Sequence, residues 1–266
     1  MSEAAAARAP LEFGRVWALT GRMLRHLAVP LLVMGLLLFA IPNIIFSALL
    51  SMALPPLMNA SYSDFESALF TARAIGIGRL AFPLFTLYLL QAGVLRHVFA
   101  TREGRKASLG DSLLFALRRA GTAVGLALVI FLCVAAGTLL LVVPGVLIWT
   151  SWSMALPLAV QEGAGLNDSL NRSGALVRGN RGPVFAVSLV LFLGLLAAEV
   201  VVRVGGVMWL APTFNLVLGD MVLPMAIAVL AVETFAAVAF AAAFTATYIQ
   251  LRGLDADSDA TAEVFV

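Results

Sequence analysis

Reactive side chains are scarce in this sequence: 266 residues hold one cysteine and two histidines. A lone cysteine, Cys133, placed in an apolar run excludes a disulfide framework and a thiolate metal cluster. The histidines, His26 and His97, stand beside the ends of apolar runs without a neighbouring carboxylate cluster. There is no zinc motif, no phosphate-binding glycine loop and no dinucleotide fingerprint. Charge is equally thin. Only 12% of the residues are charged, against about a quarter in a soluble domain. With 62% hydrophobic residues and a mean hydropathy of +1.01, a water-soluble globule is excluded.

Abundant instead is unbroken apolar sequence. In lipid only helices and closed barrels satisfy every backbone group, and these runs lack the every-second-residue alternation of barrel strands. The composition predicts an all-α integral membrane protein with six transmembrane helices. The first span covers 27–54, with Pro30 and Pro42 able to tilt or kink it. A polar loop, 55–73, leads to the second span at 75–99, and a basic loop covers 96–106. A short helix at 109–119 is followed by about forty residues of apolar sequence ending at Val160, enough for two crossings. Pro144-Gly145 is the expected reversal between them, which leaves a short fourth span at 146–160 leaning on Gln161 and Glu162. The fifth and sixth spans read as 184–207 and 222–250. Residues 1–10 and the acidic tail 254–266 read as disordered around a membrane domain at 11–253. No cleaved signal peptide is expected, because the first apolar run begins only near Leu27 and far exceeds a signal core.

Six crossings place every Lys and Arg on one side except Arg73, Arg79 and Arg203. By the positive-inside rule both termini are then cytoplasmic. The same bias demands a true fourth crossing, since otherwise Arg172, Arg178 and Arg181 would be translocated. The basic balance points to a membrane surface and not to nucleic acid.

An internal repeat runs through this plan. Ala107-Ser108-Leu109-Gly110-Asp111-Ser112-Leu113 matches Ala164-Gly165-Leu166-Asn167-Asp168-Ser169-Leu170 at constant offset, and a span follows each. The helical stretch 11–25 occupies the same place before the first span. It carries Arg15, Arg22 and Arg25 on one side and Phe13, Val16, Trp17, Thr20 and Leu24 on the other. That pattern suits a helix in the headgroup layer, and equally one packed on protein. The chain thus reads as three units, about 11–100, 107–160 and 164–252, each an interfacial amphipathic helix plus a membrane hairpin. In the third unit Leu166, Leu170 and Val177 share a face, opposite Asp168, Asn171, Arg172 and Arg178. Asn167 or Asp168 is expected to cap this helix and Gly179 to end it. It is expected to contact its repeat counterpart at 109–119.

Ionisable groups within spans are costly and mark functional sites or buried pairs. Glu199 and Arg203, one turn apart, read as an i to i+4 pair near an interface. Glu233, in the middle of the sixth span, has no basic neighbour on its own helix. It is expected to bridge to Arg79 or Arg203 or to stay protonated, with a proton or substrate role as the alternative. Glu162 reads as a cap or as a salt bridge to Arg172 or Arg178. Ser151, Ser153, Thr245 and Thr247 are expected to bond their own helix backbone, since no base stands ready to activate them. Trp17 and Trp209 read as interfacial anchors, Trp149 and Trp152 as bundle packing, and the alanines from Ala226 to Ala246 as a close-packing surface.

The run from Pro144 through Trp149, Trp152, Pro157 and Glu162-Gly163, then Ser169-Leu170-Asn171-Arg172-Ser173 to Gly179, resembles a family of six-span bacterial inner-membrane proteins. These are similar to the membrane domain of glycerophosphoryl diester phosphodiesterase. The matching positions are Pro144, Gly145, Pro157, Glu162, Gly163, Arg172, Ser173, Leu176, Gly179, Tyr248 and Arg252, within 100–253. The resemblance implies a six-helix membrane domain in the bacterial inner membrane. In the phosphodiesterases the chemistry belongs to a separate soluble domain with a histidine pair and metal-binding carboxylates, and no such segment occurs here.

These readings predict a non-catalytic membrane module without cofactor, metal or catalytic residue, associating with membrane lipid, a partner membrane protein or a second copy of itself. The alternative is a carrier for a lipid or small solute that uses Glu233 at mid-membrane.

Overall fold

A computed structural model describes residues 11–58, 65–105, 108–210 and 218–253. Among them every regular element is helical: α1 (Phe13–His26), α2 (Ala28–Gly35), α3 (Ile41–Met58), α4 (Phe65–Arg102), α5 (Leu109–Arg118), α6 (Ala120–Leu140), α7 (Val142–Trp152), α8 (Ala155–Gln161), α9 (Leu166–Val177), α10 (Arg181–Leu210) and α11 (Leu218–Leu251). Six stretches are long and apolar enough to cross a membrane: Ala28–Leu50, Leu69–Arg102, Ala120–Leu140, Val142–Gln161, Arg181–Ala198 and Ile227–Leu251. The chain is a multi-pass helical membrane protein. The terminal segments expected to be disordered lie outside the described residues.

Successive long helices pack on each other, α3 on α4, α6 on α7 and α10 on α11. α11 is the hub, touching α1, α2, α4 and α10. Its inner surface is a run of small residues, Ala237, Ala241, Ala242, Ala243 and Ala246, all buried, which lets neighbouring backbones come close. α1 lays Val16, Thr20 and Met23 inward, mainly on α11, so protein covers part of its apolar face while Phe13 stays exposed.

The first span is not a uniform α-helix. Pro42 has no N–H to offer Leu38, and just before it the hydrogen bonding widens to a π-helical turn over Leu36–Ala40, closed by the Ile41 N–H on the Leu36 carbonyl. Asn43 then donates to the Phe39 carbonyl at 2.7 Å. α4 continues through its own Pro83. The expected polar loop 55–73 is helical on both flanks. α3 runs to Met58 and α4 starts at Phe65, since polarity in FESALFTAR does not oppose helix and most of those residues favour it.

The third and fourth spans turn elsewhere than expected. α6 stops at Leu140, and the single extended residue Leu141 (φ −165°, ψ 147°) reverses the chain. Pro144 falls in the first turn of α7, where its missing N–H removes no helical bond. Gly145 serves close approach, not turning. A Cβ there would stand 2.2 Å from Thr138 Oγ1 and 3.0 Å from the Thr138 backbone nitrogen.

α9 also differs from expectation. Its N-cap is Gly165 without a side-chain cap, and Asn167 and Asp168 lie inside its first turn. Ser169 bonds back to the Gly165 carbonyl at 2.7 Å. Leu166 is exposed, and the buried face is Ser169, Leu170, Ser173, Leu176 and Val177. The helix seats that face on α7 and α8, whereas α5 seats Ser112 and Ala116 chiefly against α4. The expected α5–α9 contact is not among the substantial ones. Each helix instead packs chiefly on the span that precedes it in sequence. Gly179 follows α9 with φ 93°, a conformation open to glycine.

Candidate functional site

At the arginine-rich end of the bundle, three side chains, Tyr248, Arg252 and Arg172, converge on the Glu162 carboxylate. α8 ends at Gln161, and Gly163 (φ 65°) swings the chain toward α9, leaving Glu162 projecting between them. Tyr248 donates its hydroxyl to Glu162 Oε1 at 2.9 Å, and Arg252 pairs with the same oxygen. Arg172 approaches Glu162 Oε2 at 3.5 Å and Asp168 at 2.9 Å. Phe99 of α4 stands beside Tyr248, ring centroids 6.2 Å apart. Two guanidinium groups balance two carboxylates, so the cluster offers no net charge to a ligand. It clasps α8, α9 and α11 together. The expected salt bridge from Glu162 goes to Arg172 and Arg252, not to Arg178.

Beside the clasp the fourth span is broken. α7 ends at Trp152 and α8 begins at Ala155, and Pro157 cannot donate to the Ser153 carbonyl. Ser153 Oγ takes the Thr150 carbonyl at 2.8 Å, which leaves the Met154 N–H without its helical partner. Ser173 of α9 fills the gap. Its hydroxyl accepts from Met154 N at 3.1 Å and donates to the Ser151 carbonyl at 2.7 Å, with its own side chain fully buried. Thr245 and Thr247 bond their own helix, at 2.7 and 2.8 Å, as their positions suggest.

Higher in the bundle lies a cavity of about 480 Å³ between the π-helical turn, α4, α7, α10 and α11. Phe39, Leu87, Trp149, Phe192 and Ala236 are among its walls, and Ser188, Glu233 and the Trp149 indole bring side-chain polar atoms. Ser188 is committed to the Val184 carbonyl at 3.1 Å. A second apolar cavity of about 380 Å³ shares Leu84 and Trp149 with the first. Trp149 thus packs in the bundle as expected, against Phe240 and Phe244 at 6.2 and 6.5 Å, while also dividing two cavities.

Arg79 is exposed on α4, and the side chains of Glu199, Arg203 and Trp209 lie outside the described residues. Sequence reasoning missed Asn43, which reaches across from the first span to Thr86 Oγ1 at 2.8 Å, while Thr86 donates to the Pro83 carbonyl at 3.0 Å. The signal was present: a polar side chain inside each of two apolar spans, where it needs a partner that lipid cannot supply. His97 is also spoken for, its Nδ1 lying 3.2 Å from Ser112 Oγ. Among the described residues no group of three or more His, Cys, Asp or Glu side chains is placed to hold a metal.

No protein-family model matches the chain, and no curated protein or solved structure matches it either.

Proposed function

We propose that this chain is a non-catalytic module of the bacterial inner membrane that holds membrane lipid, with both termini cytoplasmic. The observation that carries the reading is the cavity at Glu233. Its volume, about 480 Å³, is within the roughly 300–1,000 Å³ of ligand pockets. Its aliphatic and aromatic lining suits an acyl chain better than a polar solute. The three units of amphipathic helix and hairpin are part of the proposal, as is the relation to the phosphodiesterase membrane domain. In support, Ser112 and Ser169, at equivalent repeat positions, are both buried and both bond back to the start of their helix.

The carrier reading is the competitor, and Glu233 in the cavity wall is what favours it. Its position along α11 weighs on the other side. Eighteen residues separate Glu233 from Leu251, about 27 Å at 1.5 Å per residue. With Leu251 at one interface of a hydrocarbon layer of about 30 Å, an untilted α11 brings Glu233 close to the other interface. There a carboxyl is cheap to hold and poorly placed for alternating access around a midplane site.

Native mass spectrometry of the purified protein decides between them. Retained phospholipid, reduced several-fold by the cavity-filling Ala236→Trp, is the expected result. Saturable, proton-driven flux in proteoliposomes, abolished by Glu233→Gln, would replace the module with a carrier.

A further inference from the structure

Arginines at this end of the bundle are not all accounted for by carboxylates. Arg172 and Arg252 belong to the Glu162 clasp, Arg105 pairs with Glu103 and Arg15 with Glu12. Arg96 and Arg119 differ. Both are half-buried, and both guanidinium groups lie over the same ring, Phe115, at 5.4 and 5.9 Å from its centroid. They come from different elements, Arg96 from the last third of α4 and Arg119 from the junction of α5 and α6. Among the described residues no carboxylate forms an ion pair with either. Asp111, one turn before Phe115 on α5, is exposed and pairs with neither.

Two half-buried guanidinium groups that converge on one ring repel each other unless an anion joins them. The surroundings define what kind of anion. On α5, the residues flanking Phe115 outward are Leu114 and Leu117, 47% and 56% exposed, while Ser112 and Ala116 face the protein. A helix that turns small residues inward and leucines outward, beside half-buried arginines, has its outer face in the acyl boundary and its arginines at headgroup depth. Guanidinium forks match phosphate oxygens in geometry and charge.

We propose that Arg96 and Arg119 bind the phosphate of an anionic phospholipid of the adjoining leaflet, with Phe115 as the platform and Leu114 and Leu117 against its acyl chain. This deepens the lipid-module reading by assigning a headgroup site, separate from the cavity. Each arginine near an anionic surface contributes about 1 kcal/mol, or about five-fold in affinity, so the pair gives about thirty-fold.

The test is the thermal melting of detergent-purified full chain titrated with phosphatidylglycerol, with a phosphate-free diacyl glycolipid of the same chains, and with inorganic phosphate. Phosphatidylglycerol alone is expected to raise the melting temperature. The variant Arg96→Gln/Arg119→Gln is expected to keep the lipid-free melting temperature and need about thirty-fold more phosphatidylglycerol for the same rise. Should that pair fail to fold, Arg96→Lys/Arg119→Lys preserves both charges, and it is expected to bind several-fold more weakly for want of the planar fork. An equal rise with glycolipid, or an unshifted titration in the variants, overturns the headgroup site. An equal rise with inorganic phosphate assigns the arginines to a soluble anion and overturns the lipid. If the glycolipid and phosphatidylglycerol both leave the protein unchanged and no lipid co-purifies, the module reading fails as well. Co-purified lipid that the variants retain in full sinks only the arginine site.

Discussion

The Tyr248 hydroxyl donates to Oε1 of Glu162 at 2.9 Å across 86 residues of chain. The bond ties the last turns of α11 to the residue that follows α8, and Arg252 shares the same oxygen.

Removing the hydroxyl with Tyr248→Phe is expected to cost about 1 kcal/mol, the net worth of one such bond. Glu162→Ala strips Tyr248, Arg172 and Arg252 of their shared acceptor, and the loss is expected to reach about 1–3 kcal/mol. Arg172 and Arg252 are 54% and 36% exposed, so their share is screened by solvent and weakens with salt. Melting of the two single variants and the double variant in detergent gives the coupling. Strict additivity would mean that the bond is not formed in solution.

Ser173→Ala is expected to destabilise the protein by about 2 kcal/mol, because it orphans a backbone donor at Met154 and an acceptor at Ser151 inside a helix break. Ser151→Ala is expected to be near neutral, since Ser151 contributes its carbonyl to this arrangement. Equal melting temperatures for the two variants would show that the hydroxyl does not bridge the break.

Gly145→Ala forces a methyl into Thr138 and is expected to cost about 1–3 kcal/mol as overpacking. Gly174, in the interior of α9, has nothing within 4 Å of an added Cβ. Gly174→Ala is therefore expected to stabilise by up to about 1 kcal/mol through helix propensity. The opposite signs, read by chemical unfolding, check that close approach and not helix propensity selects glycine at Gly145.

Topology is checked by single cysteines in a Cys133→Ala background. An impermeant maleimide applied outside cells is expected to label Ala72→Cys, near the start of the second span, and Ser63→Cys, which lies outside the described residues. Ser108→Cys and Asn171→Cys, both exposed on the arginine-rich end, are expected to react only after lysis. Outside labelling of Asn171→Cys would make the α7–α8 segment re-entrant.

Much of this architecture was legible because hydropathy is local. The cost of an unbonded backbone group or a charge in lipid acts on each residue separately. Span number, helical class and the arginine bias can therefore be summed along the chain. Turn chemistry was less legible. Pro144-Gly145 reads as a reversal, yet proline is comfortable in a first helical turn and glycine equally serves close packing, so Leu141 took the turn instead. The face of α9 holds Leu170 and Val177 inward as their spacing suggests, but leaves Leu166 outside for a related reason. Counting apolar residues favoured Leu166, whereas the groove at the α7–α8 break selected the small hydroxyls of Ser169 and Ser173.

By itself the sequence determined six apolar helices, their approximate limits and the end of the bundle that carries most of the arginines. Only the tertiary structure decided that Tyr248 and Arg252 meet Glu162, that Asn43 meets Thr86, that Arg96 and Arg119 share Phe115, and that Glu233 borders an apolar cavity. Those meetings depend on how each helix is rotated and tilted against its neighbours. Rotation and tilt follow from side-chain packing across the bundle, to which a one-dimensional pattern of apolar residues is blind.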